Sequence, residues 1–435
     1  MINLKNIFLS MTTVKKFFAS SLLRKNISFT FLRQLLVAIA QFFLILIIAR
    51  VFGPEGNGIY VMAILVPTMM VNFFNLGIGH ASIYFISTKY FSNDQVLTKN
   101  ILLALIISLI ATILVLPLIF FKGNEIFPGI PLDFIYVGFI CFPLSLMSIF
   151  LASILQGQEN FNAYNLTEAI PPYVHLCGIS IAIYFFETGV LGVLLSYFFS
   201  QTMALIIVLF LIKPFKILKN KKKKISLKEY SKKSIGFGFK IHFSNILTFL
   251  NYRADIFLIN FFVNPSLAGV YFIAVQISEK IWIFSHSASS VLFPRFAKIK
   301  NTEERIALAN RGVRLVGILT ILLSILVGLI LYWFLEILFG KDYVDALLIF
   351  FWLIPGTIAA SGSRIYSVYI TASGKPEWNM YISFFIVLAN IIGNIILIPK
   401  YGILGAAWVT TTSYCLDALI KFWLARHTLR ISKKY

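Results

Sequence analysis

Long apolar stretches alternate with short polar or Gly/Pro-containing breaks along the whole chain. A membrane-spanning helix needs about 20 mostly apolar residues, and the pattern supplies twelve stretches of that kind. We predict helices at 29–52, 57–86, 96–121, 132–156, 163–186, 189–213, 236–262, 267–293, 311–339, 343–371, 377–398 and 402–428. Of the 435 residues, 59% are hydrophobic and 13% are charged, whereas soluble domains are nearer 45–50% and 25%. The sequence therefore predicts an all-α polytopic membrane protein.

A dense lysine block, KPFKILKNKKKKISLKEYSKK at 213–233, lies between the sixth and seventh apolar stretches and contains ten lysines and one glutamate. Such a block cannot enter a bilayer, so it must be a loop at a membrane surface. If both termini are cytoplasmic, most of the 38 Lys and Arg residues fall on the cytoplasmic side, as the positive-inside rule requires. We therefore predict cytoplasmic termini and a cytoplasmic central loop.

The two halves of the chain repeat. ARVFGPEGNGIY at 49–60 pairs with INFFVNPSLAGVY at 259–271, which aligns Pro54 with Pro265 and Gly58 with Gly269. ETGVLGV at 187–193 pairs with KYGILGA at 400–406 at nearly the same offset. Because each half has an even number of helices, the repeat is parallel, about an axis along the membrane normal. We predict a cytoplasmic segment 1–28, an N-lobe 29–213, a Lys-rich linker 214–235, a C-lobe 236–428 and a tail 429–435, with the two six-helix lobes related by a pseudo-twofold axis.

The net charge and the lengths of the loops restrict the classes of function that the chain could have. The net charge of +21 favours anionic lipids or an anionic substrate, and no nucleic acid is expected. The three cysteines lie in apolar runs without metal or redox spacing, and we expect no metal and no cofactor. The predicted outer loops are short, and none contains the acid, base or metal cluster that a membrane enzyme needs. Transport is therefore favoured over an enzyme, and over a lipid scaffold, which would have no cavity between the halves.

Charged and amide side chains inside the predicted spans mark the candidate chemistry, because intramembrane charge is costly. On the seventh helix a polar stripe faces one side; it consists of Lys240, Ser244, Thr248, Asn251 and Asp255. Such a stripe either lines a cavity or packs against neighbouring helices through hydrogen bonds. Arg253 points away from the stripe and either lines the cavity or pairs with another helix.

Other polar residues also have two interpretations. Glu279 and Lys280 either neutralise each other or pair across the cavity, and the Asn390/Asn394 pair either faces the cavity or joins helices. Asp417 and Lys421 are one turn apart and are expected to pair. The residues that we predict to bind substrate in the cavity are Arg33, Gln41, Asn72, Asn75, Lys240, Asn251, Lys280, Arg364 and Asn390, with Asp255 and Glu279 as ion-coupling residues.

Several motifs resemble those of bacterial polysaccharide flippases of the Wzx type, in the multidrug/oligosaccharidyl-lipid/polysaccharide exporter superfamily. The clearest is SGKPEWNMYISFFIVLANIIGNIILIPKYGILGAAWVTTTSY at 373–414. Further matches are RVFGPEGNGIY at 50–60, NLGIGHASIYFIS at 75–87, RADIFLINFF at 253–262 and VLFPRFAK at 291–298. The resemblance covers essentially the whole chain in the order of the family.

The resemblance implies two six-helix lobes around a central cavity, as in MATE transporters, and alternating access in the bacterial cytoplasmic (inner) membrane. The implied substrate is an undecaprenyl-diphosphate-linked oligosaccharide for O-antigen or capsule synthesis, with anionic lipids, a glycan polymerase and a chain-length regulator as further partners. On this hypothesis two or three of Arg33, Lys240, Lys280 and Arg364 hold the diphosphate, and Asp255 or Glu279 binds H⁺ or Na⁺. The alternative is a MATE-type multidrug cation antiporter, which would need an acidic cavity, whereas the buried charges here are mainly basic.

Overall fold

The computed structural model describes residues 21–213, 225–299 and 301–432. Most of the predicted N-terminal segment 1–28, the first half of the predicted linker and the end of the tail lie outside the described residues. The helices are α1 Ser21–Phe74, α2 Ile78–Ser87, α3 Asn93–Ile126, α4 Leu132–Gly157, α5 Phe161–Tyr184, α6 Gly189–Ile212, α7 Leu227–Phe262, α8 Pro265–Lys280, α9 Ile283–Lys298, α10 Thr302–Phe339, α11 Val344–Ala372 and α12 Pro376–Ser432, with a 3₁₀ turn at Lys341–Tyr343 before α11. In the part of the chain that is described, every regular element is helical, as the apolar pattern predicts.

At two positions where the sequence predicts a break between helices, the structure has a kink within a continuous helix. Two other helices that the sequence predicts as continuous are interrupted. Gly53 (φ 65°, ψ −172°) bends α1, and Gly402 (φ 57°, ψ −138°) bends α12. The predicted helix 57–86 is interrupted between α1 and α2, where the Asn75 side chain accepts a hydrogen bond from the Gly77 backbone at 2.8 Å. The predicted helix 267–293 is divided into α8 and α9, which are bent by 40° relative to each other. Thus the second predicted helix of each half is discontinuous.

Eight of the described helices are long and apolar enough to cross a membrane, or nine if α8 and α9 form one bent span. The apolar parts of α1 and α12 contain 43 and 51 residues, about twice the length that one crossing needs. The predicted twelve spans would be reached if α8 and α9 form one span, each of these two long helices crosses twice and the charged α7 also crosses. The count of twelve and the cytoplasmic termini remain predictions.

The chain divides into two compact units that do not follow the predicted lobe boundaries. Unit 1 comprises residues 1–44, 74–114 and 137–240, and unit 2 comprises residues 45–73, 115–136 and 241–435. α7 begins at Leu227 rather than at the predicted 236, so its first turns occupy part of the predicted linker. These first turns belong to unit 1, together with α5, α6 and most of α4. The division into lobes at 213 and 236 remains a prediction.

A buried polar network holds the start of α7 in unit 1. Asn100 of α3 is fully buried, and its amide nitrogen donates to the Phe150 carbonyl at 2.9 Å and to the Ser82 hydroxyl at 3.0 Å. The Tyr230 hydroxyl of α7 donates to the amide oxygen of Asn100 at 2.8 Å. Every polar atom of the Asn100 side chain is therefore satisfied, as burial requires.

Unit 2 places α11 among α8, α9, α10 and α12. Its interior includes Phe296 of α9 and Tyr369 of α11, whose ring centroids are 6.0 Å apart. On α10 the opposite face exposes large apolar side chains; Leu322 is 59% exposed and Trp333 is 70% exposed. An exposed apolar face of this kind suits contact with lipid rather than with water. The polar residues described next lie on the interior side of unit 2.

Candidate functional site

The candidate site is a group of polar and aromatic side chains in unit 2, near the break between α8 and α9. Arg253 of α7 forms a bidentate ion pair with Glu279 of α8, with Nη1–Oε1 and Nη2–Oε2 distances of 2.8 and 3.1 Å. The two side chains are 24% and 17% exposed. Of the two interpretations of Arg253, pairing with another helix is therefore the one that the structure supports. Glu279 thus forms its bidentate ion pair with Arg253.

Asp255, two residues farther along α7, is the most enclosed carboxylate of this group, with 2% of its surface exposed. Its Oδ2 accepts hydrogen bonds from the Tyr271 hydroxyl at 2.6 Å and from the Thr410 hydroxyl at 3.3 Å. Its Oδ1 accepts from the Ile256 backbone at 2.8 Å. A carboxylate held by three donors from α7, α8 and α12 is well placed to bind or release a proton or another cation.

Arg364 of α11 is held by neutral groups instead of by a carboxylate. Its Nη1 donates to the Ser285 hydroxyl at 3.2 Å and its Nη2 donates to the Tyr252 hydroxyl at 3.3 Å. The guanidinium lies 5.1 Å from the centre of the Trp282 ring, within the range of a cation–π interaction. These contacts fix the orientation of the guanidinium, and within the described part of the chain no carboxylate forms an ion pair that compensates its positive charge.

Ion pairing distinguishes the basic side chains of this unit. Glu279 neutralises Arg253, and Asp417 neutralises Lys421 at 2.8 Å, the pair that the sequence predicts. Among the described residues, no carboxylate forms an ion pair with Arg364. A planar cation with free N–H groups and a fixed orientation suits the oxygens of a phosphate or a carboxylate. The site therefore has the chemistry to bind an anion at Arg364 and a cation or proton at Asp255.

The other predicted residues of unit 2 have different surroundings. Asn251 is half-buried with its amide oxygen unpaired among the described residues, and Lys280 is exposed at the end of α8. The Asn72 amide donates to the Thr68 carbonyl of its own helix at 2.9 Å. Asn390 is 1% exposed, and its amide donates to Ser413 at 3.2 Å. Because Asn390 joins the two arms of α12, the structure supports the interhelical interpretation and not the cavity one.

Four predicted residues belong to unit 1. Arg33 lies 3.7 Å from the Glu168 carboxylate and stacks over Tyr164 at 5.9 Å, so its charge is partly compensated. Gln41 and Lys240 are exposed, and Asn75 stabilises the turn between α1 and α2. The predicted stripe on α7 is thus not uniform, since Lys240 is exposed and Asp255 is buried.

The sequence interpretation missed the neutral partners that organise the site. Tyr252, Trp282 and Tyr414 form an aromatic cluster with ring centroids 5.4 to 6.5 Å apart, and the Trp282 ring nitrogen donates to the Thr357 carbonyl at 3.3 Å. In an apolar chain with 44 Phe and 19 Tyr residues, the presence of an aromatic residue alone does not indicate a functional site.

Comparisons with known proteins give the family. The family described as "Polysaccharide biosynthesis protein" matches residues 23–300. The capsular polysaccharide biosynthesis protein CapF of Staphylococcus aureus is 26% identical over 423 residues, which cover 92% of this chain and 98% of that protein. A putative O-antigen transporter of Shigella flexneri is 24% identical and covers 87% of this chain and 91% of its own length.

Solved structures confirm the fold. The lipid II flippase MurJ in an inward closed conformation superposes with a TM-score of 0.76 at 16% identity, covering 91% of this chain and 87% of that chain. An inward-facing MATE family multidrug transporter superposes with a TM-score of 0.70 at 14% identity, covering 92% and 96%. At these identities the similarity shows the fold alone. This multi-pass membrane protein belongs to the polysaccharide biosynthesis protein family.

Proposed function

We propose that this protein moves an oligosaccharide linked to a polyprenyl diphosphate across the bacterial cytoplasmic membrane, for the synthesis of O-antigen or capsular polysaccharide. The observation that carries the proposal is Arg364, an oriented and uncompensated cation on a membrane helix, in a chain whose relatives are named for polysaccharide synthesis and O-antigen transport. A drug cation would be repelled by such a group, whereas a diphosphate would be attracted.

The substrate would be held by its charged part. Arg364 binds the diphosphate, and the exposed Lys240 and Lys280 together with Arg33 assist as it enters from the cytoplasmic side. Gln41, Asn72 and Asn251 contact sugars, while the polyprenyl tail stays in lipid. Asn75 and Asn390 are excluded from this set, because Asn75 holds the turn between α1 and α2 and the buried Asn390 joins the two arms of α12.

Alternating access is coupled to an ion gradient at Asp255. Its surroundings support this role, because Tyr271 and Thr410 come from two other helices and would be released if the carboxylate were protonated or bound a cation. Glu279 has a different role, because both of its carboxylate oxygens already accept hydrogen bonds from the Arg253 guanidinium. We propose that Glu279 balances Arg253 and that Asp255 alone carries the coupling ion.

The test is reconstitution into liposomes that contain a short polyprenyl-diphosphate oligosaccharide in both leaflets. The exposed fraction is followed with a membrane-impermeant sugar-oxidising reagent. With the protein present, reagent added outside should reach nearly all of the glycan within the assay time, compared with about half in protein-free liposomes. No difference between the two, combined with proton-driven uptake of a cationic dye, would favour the MATE-type antiporter instead.

A further inference from the structure

Two arginines of unit 2 lie on either side of Tyr366, at the end of this unit that the predicted topology places at the cytoplasmic surface. The Tyr366 hydroxyl of α11 donates to the Asn310 amide oxygen of α10 at 2.9 Å, and Arg314 follows Asn310 by one helical turn. On the other side, the Tyr366 ring lies 5.7 Å from the Phe422 ring of α12. The Arg426 guanidinium lies 4.6 Å from the centre of that Phe422 ring. Both positive charges are therefore close to the Tyr366 hydroxyl and act on it.

This pair of arginines is not neutralised by the described part of the fold. Arg314 and Arg426 are both exposed, and within the described ranges no carboxylate forms an ion pair with either of them. Two guanidinium groups that are close together repel each other, and an anion bound between them removes the repulsion. Guanidinium groups suit the oxygens of a phosphate in particular. The pair therefore has the chemistry to hold one phosphate group.

The surface that borders the arginine pair is apolar. On α10, Leu315 and Ile318 are exposed directly after Arg314, and on α12 Trp423 is exposed one turn before Arg426. Tryptophan is enriched where the hydrocarbon of a membrane meets water, and an arginine beside exposed apolar residues can extend its charged end from hydrocarbon to the headgroups. In the predicted topology both arginines therefore lie at the depth of the phosphate groups of the cytoplasmic leaflet.

An apolar groove continues from Arg314 along the same face of α10. The groove has a volume of about 400 Å³, and its α10 side includes Ile321, Ile325 and Tyr332, while Phe351 is on its α11 side. At about 100° per residue, Arg314 and these three α10 residues lie within about 40° of one another around the helix. The groove begins about 10 Å along α10 from Arg314. An acyl chain that crosses the hydrocarbon of one leaflet, about 15 Å thick, would reach into it.

We infer that Arg314 and Arg426 bind the phosphate of an anionic phospholipid of the cytoplasmic leaflet, of the phosphatidylglycerol class, with one acyl chain in the groove between α10 and α11. Basic sites between membrane helices on the cytoplasmic side recognise anionic headgroups in this way. A phospholipid fits better than a lipid-linked glycan, because the exposed neighbours Leu315, Ile318 and Trp423 are apolar and do not suit sugars. The bound lipid joins α10 to α12 through its phosphate. The inference does not depend on the transported substrate, since neither arginine belongs to the set proposed above to hold the diphosphate.

The phosphate site is tested by native mass spectrometry of the full chain in detergent, with phosphatidylglycerol or phosphatidylcholine added. The parent protein should bind one phosphatidylglycerol more tightly than phosphatidylcholine. Arg314→Gln and Arg426→Gln should each weaken phosphatidylglycerol binding by about 10-fold, the loss expected for one charged hydrogen bond. Arg311→Gln is the matched control, because it removes an exposed arginine of α10 one turn before Arg314, and it should leave the affinity unchanged.

Acyl chain length tests the groove separately. Ile325→Trp should fill the groove and weaken the binding of long-chain phosphatidylglycerol, while short-chain phosphatidylglycerol, which does not reach the groove, should bind as it does to the parent. Leu322→Trp is the control, since Leu322 is exposed on α10 but does not line the groove. Equal effects of the two tryptophan variants on the long-chain lipid would overturn the placement of the acyl chain.

Two further outcomes would overturn the site itself. Equal binding of the two phospholipids by the parent, or an equal loss in all three arginine variants, would show only diffuse attraction to a positive surface. Displacement of bound phosphatidylglycerol by a polyprenyl-diphosphate oligosaccharide, with the same dependence on Arg314 and Arg426, would assign the site to the substrate instead. Thermal unfolding without added lipid checks that each variant is folded, and if one arginine variant is not, the other carries the test.

Discussion

Replacing Arg364 with glutamine tests the anion site most directly. The guanidinium has five N–H donors, and two of them are used by Ser285 and Tyr252, which leaves donors for a substrate oxygen. A hydrogen bond between charged groups contributes about 1.5–3 kcal/mol, so Arg364→Gln should weaken binding of a polyprenyl-diphosphate oligosaccharide by about 10- to 150-fold. Arg364→Lys should lie in between, because it keeps the charge but loses the planar stacking over Trp282.

The measurement is equilibrium binding to purified protein in detergent, with thermal unfolding of each variant measured alongside. The stability of Arg364→Gln should change little, since the loss of two hydrogen bonds to neutral groups is offset by removal of an uncompensated charge from the membrane. Binding by Arg364→Gln with the affinity of the parent protein would refute the assignment of the anion site.

Arg253→Gln is the matched control, since it removes an arginine that is already neutralised. Removing one partner of a fully buried ion pair costs about 3–5 kcal/mol; with these side chains 24% and 17% exposed, about 2–3 kcal/mol is expected after solvent screening. Arg253→Gln should therefore unfold at a lower temperature, and adding Glu279→Gln should restore much of the loss because no unpaired charge remains. A fall in affinity as large as that of Arg364→Gln would contradict the distinction between the two arginines.

The remaining predictions concern the ion and the fold. Asp255→Asn should reduce gradient-driven glycan movement to the rate seen without a gradient, because a neutral amide neither accepts a proton at this pH nor attracts a cation. A variant that still responds to imposed H⁺ and Na⁺ gradients would exclude Asp255 as the coupling site. Asn100→Leu should lower the unfolding temperature of the protein, because the Tyr230 hydroxyl would lose its partner at a cost of about 1–3 kcal/mol. Unchanged thermal unfolding would show that the network in unit 1 is dispensable. Lys421→Met should also destabilise by leaving Asp417 without its cation, and Asp417→Asn added to it should recover the loss.

The helical class and most helix positions follow directly from the apolar pattern, because a membrane requires backbone hydrogen bonds to be satisfied within each segment. The predicted bounds of α4 and α6 agree with the structure to within one residue. The pattern fails where geometry depends on single dihedral angles. It does not reveal that Gly53 bends a continuous helix whereas residues 281–282 divide one, since the apolar pattern does not encode the dihedral angles at either position.

The candidate site was only partly predictable for a related reason. Charged residues inside a span are rare, so Arg253, Asp255, Glu279 and Arg364 are conspicuous in the sequence. Their partners are set by tertiary contacts that no spacing encodes, and the neutralised Arg253 cannot be distinguished from the uncompensated Arg364 by sequence alone. For Asn390 the sequence suggests an amide that is available to bind sugars, but in the structure this amide donates a hydrogen bond to Ser413.

The glycines of this chain are required for two unrelated reasons, and a saturation library would separate them. At Gly53 and Gly402 a Cβ atom would meet nothing within 4 Å, but the backbone has angles that L-residues avoid. Every replacement there should be penalised to a similar degree, whether it is alanine or tryptophan, whereas a D-alanine introduced by chemical synthesis would be accepted. At Gly58 the dihedral angles are ordinary and the obstacle is space, because a Cβ atom there would lie 1.8 Å from the Pro265 carbonyl oxygen. The fitness of each variant at Gly58 should therefore fall with the volume of its side chain. Two profiles, one flat and one graded, would thus distinguish the bends of the chain from its close backbone contact.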